Sequence, residues 1–170
     1  METIKQTSKE YFKTLSIIHA ALTIGPVVFG LIIFLVVSLS HTNALNELTK
    51  IFYYVVPIIT VIALLSANIF YKSKLKTFKD SDSLQNKLTT YRGLLIMRYA
   101  SAEGASFFAV VAAFITETPF FLIFVGLLLL LMIYWRPTRE SLKADLQLSV
   151  QEVSAIDDPD AVVIETAVDR

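Results

Sequence analysis

Arg98 and Glu103 are the only acidic or basic side chains placed well inside an apolar run of this 170-residue chain, in the stretch RGLLIMRYASAEGASFFAVVAAFI from Arg92 to Ile115. Ionisable groups at membrane depth are costly and count as functional candidates by default. Two kinds of chemistry suit Glu103. One is a buried interhelical hydrogen bond or ion pair that fixes packing. The other is a carboxyl that is neutral in lipid, ionises on meeting water or an arginine, and so carries a proton or cation. A five-residue offset sets Arg98 and Glu103 about 140° apart around a helix, whereas true neighbours are three or four apart, so ordinary helical neighbouring does not pair them.

Counted from the cytoplasmic end of the span, Arg98 lies about 7 Å deep and Glu103 near 15 Å, close to the midplane. The plain expectation for Arg98 is a guanidinium that snorkels to the headgroups, a route closed to the shorter glutamate. His19 and Ser66 fall at the depth of Arg98, Ser101 slightly deeper and Asn68 slightly shallower, which predicts a polar layer in the cytoplasmic third. Thr60 and the Gly25-Pro26 pair fall near Glu103, and a proline kink there frees the Leu22 carbonyl as an acceptor. Around the pair, Ala102, Ser106, Ala109 and Ala113 form one row of small residues, and Ser101, Ala105 and Ala112 with Gly104 form another, so helices can approach on two sides. Serines in such rows ordinarily serve packing.

The elements that must position these residues are membrane spans. With 55% hydrophobic residues the chain is too apolar for a soluble domain and too short for several membrane domains. Apolar runs at 15–39, 51–70, 94–115 and 120–135 predict an all-α integral membrane fold, an antiparallel bundle of four transmembrane helices over residues 1–136. Pro26 and Pro57 are expected to kink the first two spans. The third is expected to be central, and the fourth, nearly all leucine and phenylalanine, the most lipid-exposed. Thr116 to Pro119 is short enough only for a tight helical hairpin. The N-terminal segment, the hydrophilic loop 71–92 and the C-terminal tail hold 3, 6 and 4 Lys or Arg, against Lys50 alone on the opposite side, which places both termini in the cytoplasm. The expected location is a bacterial plasma membrane.

Residues 137–170 form an acidic tail near −5 facing a loop near +4. A short helix opening at Pro137 or Thr138 is expected, then a capping box from Ser149 to Glu152 starting a second one that ends near Asp157. Charge would allow docking, but the plain expectation is a loosely ordered, solubilising end.

Without cysteine there is no disulfide framework, thiolate site or cysteine nucleophile. No histidine and carboxylate sit at metal-ligand spacing, no nucleophile has an adjacent base, and no nucleic-acid motif is present, so neither cofactor, metal nor catalysis is expected. The segment AEGASFFAVVAAFI, Ala102 to Ile115, resembles the carboxylate-bearing helix of the ATP synthase rotor subunit c family, and on that match Glu103 would carry the ion, with Phe108 as the family's aromatic. The long basic loop, the bulky fourth span and the 34-residue tail depart from that family. As a whole the chain resembles uncharacterised small four-span bacterial membrane proteins, WRPTRESLKADL being the shared feature, a resemblance that supplies no activity. The expected function is a non-enzymatic scaffold or accessory subunit, associating as a homo-oligomer or in a larger membrane complex through the third span and the tail. The alternative is proton or cation conduction through Glu103.

Overall fold

The computed structural model describes residues 2–39, 47–79 and 82–168, with side chains from 5 to 165 in those ranges. Most of the polar connection 41–50, together with Asp80, Asp169 and Arg170, lies outside the described residues. The chain runs β1 (Glu2–Thr7), α1 (Ser8–Leu39), α2 (Glu47–Leu75), α3 (Leu84–Thr116), a 3₁₀ turn (Pro119–Phe121), α4 (Leu122–Tyr134), α5 (Arg139–Asp145), α6 (Val150–Asp157) and β2 (Val162–Val168). It is helical apart from one antiparallel ribbon in which β1 pairs with β2, Glu2 opposite Val168 and Lys5 opposite Glu165. The helical expectation holds, with this short ribbon as an addition that the sequence did not mark.

Helices α1, α2 and α3 are each long and apolar enough to cross a membrane. At 32, 29 and 33 residues they outrun their apolar stretches. Both α1 and α2 continue through Pro26 and Pro57 without a break. The expected loop 71–92 shrinks to the residues between Leu75 and Leu84, because α3 starts ten residues ahead of its apolar run. Its first turns read as polar in composition, yet Leu88, Tyr91 and Leu95 recur at helical spacing, and all three are buried.

The chain divides into two compact units interleaved in sequence, so that residues 137–170 do not stand apart. The first comprises Met1–His19, Phe70–Ile96 and Arg136–Arg170. Its core is Tyr11, Leu15, Leu88, Tyr91, Leu142 and Ile156. The tail expected to be loosely ordered is built into it. Thr138 and Ser141 form a capping box at the start of α5, and Ser149 and Glu152 form another at α6, where the Ser149 N–H donates to the glutamate at 2.7 Å. At α1 the pair is Thr7 and Glu10, with the Thr7 N–H 2.9 Å from the Glu10 carboxylate. The buried Ser8 hydroxyl donates to the Ile156 carbonyl at 2.7 Å, and the Ser8 N–H to Ala161 at 2.9 Å.

The second unit comprises Ala20–Ile69 and Met97–Trp135. Its core is Val56, Ala109, Val110, Ala112, Ala113, Phe121 and Val125, packed with Ile33, Phe52, Phe108 and Phe124. Alanines recur along α3 because only small side chains let neighbouring backbones close on it. Half of the α3 apolar window is buried, against 11% for α1 and 17% for α2. Helix α4 buries Val125, Leu128 and Met132 among its 13 residues, so α1 is more exposed than α4. The leucine-rich α4 carries its own packing stripe, which uniform hydrophobicity had hidden. Between α3 and α4, the Thr118 N–H bonds the Ala113 carbonyl at 3.1 Å and the Glu117 N–H bonds Phe114 at 3.3 Å. This is a Schellman closure with Glu117 at φ 50°, where glycine is usual.

Candidate functional site

Glu103 sits on α3 against α1. A Cβ added to Gly25 would lie 3.4 Å from the Glu103 Oε1 and 3.3 Å from the Phe107 Cζ, so the absence of a side chain at Gly25 makes the seat for the carboxylate. One helical turn along both helices, Phe29 and Phe107 meet edge to face at 5.4 Å and close the seat on that side. Among the described residues nothing donates a hydrogen bond to the Glu103 carboxylate and no cation pairs with it.

Arg98 contacts residues of α2 and the end of α4. One of its terminal nitrogens donates to the Asn68 Oδ1 on α2 at 3.2 Å. Its guanidinium carbon lies 3.8 Å from the centroid of the Trp135 ring. Tyr99, the next residue, donates its hydroxyl to the Trp135 carbonyl at 2.6 Å and so holds the end of α4. Arg98 thus bridges α3 to Asn68 and Trp135 within the second unit.

Within the expected polar layer Arg98 bonds Asn68, while the serines bond carbonyls of their own helices. Ser101 and Ser106 donate to the Met97 and Ala102 carbonyls of their own helix at 2.9 and 2.8 Å, and the exposed Ser66 donates to Ala63 at 3.2 Å. His19 belongs to the first unit. Thr60 is buried with its hydroxyl oxygen unpartnered. Of the eight residues singled out by sequence, Arg98 and Asn68 bond each other directly.

The first unit holds polar contacts that sequence reasoning missed. Lys87 is 1% exposed, and its ammonium lies 3.1 Å from both carboxylate oxygens of Glu152 and 3.1 Å from the Gln147 carbonyl. Burial opposes ionisation of Glu152, but the Ser149 N–H and the Lys87 ammonium outweigh it and hold the carboxyl below its usual range. Asp145 accepts from the Tyr71 and Tyr91 hydroxyls at 2.6 and 3.2 Å. The Tyr11 hydroxyl donates to the Leu88 carbonyl at 2.8 Å. The Ser149–Glu152 spacing marked the cap, but nothing local marked Lys87 as the partner that carboxylate would find.

Among the described residues no group of three or more His, Cys, Asp or Glu could hold a metal ion. Comparison with protein-family models, curated proteins and solved structures returned no match.

Proposed function

We propose that the chain is a four-span integral membrane protein, its α3–α4 hairpin supplying the last two spans and both termini on the cytoplasmic face. In this reading it acts without catalysis, as a scaffold or accessory subunit of a membrane assembly. Insertion is supported by the surface of the second unit: Ile24, Leu31, Leu35 and Ile62 are each more than half exposed, an apolar area that water does not tolerate on a monomer. The 3₁₀ turn and α4 together cover about 24 Å at helical rise, and Trp135 at their end suits an interfacial anchor.

The observation that carries the scaffold reading is a groove of about 240 Å³ in the second unit, lined by Pro26, Gly30, Phe34, Leu122, Val125 and Gly126. Gly30 meets only Val125 within 4 Å of an added Cβ and Gly126 meets nothing, so the groove offers backbone to an incoming helix, the arrangement that membrane helices use for close packing. Chemical crosslinking and sedimentation of the full chain in mild detergent test this. Gly30→Leu with Gly126→Leu is expected to convert the native assembly to monomer, and an unchanged assembly would refute the reading.

The unpartnered Glu103 carboxylate at the Gly25 seat favours one second reading, proton or cation conduction. The two separate on Glu103→Gln, which keeps hydrogen bonding and removes ionisation. A scaffold keeps assembly and phenotype, whereas a conductor loses flux in reconstituted vesicles with its fold intact.

A further inference from the structure

The acidic tail and the basic segment after the second apolar run lie on the same unit, yet their charges cancel only in part, through Lys87 and Glu152. Glu152 is taken by Lys87, Glu165 pairs with Lys5 at 3.4 Å, Asp157 pairs with Lys143, and Asp145 holds two tyrosine hydroxyls. Lys72, Lys74, Lys76 and Lys79 remain exposed, and none forms an ion pair with a described residue. Favourable interaction with the C-terminal end of the α2 dipole accounts for Lys72 and Lys74, which lie in its last turn, but Lys76 and Lys79 lie beyond the helix. Directly ahead of the four lysines, near the end of α2, stand the exposed Ile69 and Phe70, with the Lys74 ammonium 5.9 Å from the Phe70 ring centroid. Exposed apolar side chains followed at once by unpaired ammonium groups fit the boundary between hydrocarbon and headgroups.

We propose that Lys72, Lys74, Lys76 and Lys79 form a binding surface for anionic phospholipid headgroups. Lysines are compact point charges on flexible stems, suited to several phosphodiesters of a lipid surface rather than to one shaped anion. The proposal rests on the membrane reading above, and the experiment keeps the two apart. The full chain is reconstituted into vesicles of phosphatidylcholine mixed with an equal amount of phosphatidylglycerol, extracted gently, and its retained lipids are counted by native mass spectrometry. Phosphatidylglycerol is expected to be enriched about tenfold over phosphatidylcholine, the size of effect that a few surface lysines give at low salt, and the enrichment should fall as salt rises. Replacing all four lysines by glutamine should return the ratio to that of the bulk, and replacing them by arginine should restore it. Enrichment that survives the glutamine variant would overturn the proposal. Failure of the wild-type chain to enter these vesicles at all would overturn the membrane reading instead.

Discussion

Replacing Glu152 with glutamine tests whether one buried charge holds the C-terminal segment in place. Lys87 is almost fully enclosed, and its ammonium has the Glu152 carboxylate and the Gln147 carbonyl as acceptors. Glutamine keeps an oxygen for the Ser149 cap and one hydrogen bond to Lys87, but leaves the cation uncompensated. Breaking a buried pair by removing one charge costs about 3–5 kcal/mol, and the retained hydrogen bond puts this case near the lower end. About 3 kcal/mol corresponds to roughly a hundredfold rise in the open population. Hydrogen exchange of the full chain in detergent reads it directly: amides of α6 and β2 should exchange about a hundredfold faster, while those of the α3 apolar segment stay protected. The double variant Lys87→Met with Glu152→Gln removes both charges and should recover most of the protection. If the double variant exchanges as fast as the single one, the effect does not come from an uncompensated charge and the reasoning fails. The same pair sets a pH response. A carboxyl held below its ordinary range contributes stability that is present above its unfolded value, near 4.3, and is lost as pH falls through the lower folded value. Wild-type exchange of these amides should therefore accelerate only below about pH 4.

At Gly25 an added methyl group meets Phe107 and Glu103 at distances a few tenths of an ångström too short, and alanine gains helix propensity of comparable worth. Gly25→Ala should be near neutral in thermal unfolding, whereas Gly25→Leu should lose about 1–3 kcal/mol by overpacking. Glu117→Gly, at the left-handed position, should raise stability by about 0.5–1 kcal/mol, measured by denaturant unfolding. Arg98→Lys gives up the flat stacking on Trp135 and should cost about 1 kcal/mol. Because Trp135 is the only tryptophan, its fluorescence should shift in that variant, and an unchanged spectrum would argue against the stack.

The long apolar helices were legible in the sequence because their signal is local: a run of apolar residues of sufficient length has few alternatives. The same holds for the starts of α5 and α6, where a hydroxyl residue and a partner three positions on satisfy the same backbone groups. The 140° offset argued against ordinary helical pairing of Arg98 with Glu103, but it could not name Trp135, which lies 37 positions beyond Arg98. Burial of Lys87 depended on Glu152, and β1 depended on β2. ETIKQT has little to mark it as a strand until VVIETAV supplies the opposite edge. Sequence patterns report what a segment does by itself or with its helical neighbours. They are silent where one weak segment completes another.

The pairing of β1 with β2 also orders events in time. The strand Glu2–Thr7 is translated ahead of all the apolar helices, and its partner Val162–Val168 only after them. At about 5–20 residues per second that wait lasts several seconds or more. For that interval the early strand is an unpaired edge, protected by shortness and by Lys5 rather than by a neighbour. The first unit is therefore completed only after the second has been translated, and any chain stopped before residue 162 leaves that edge open.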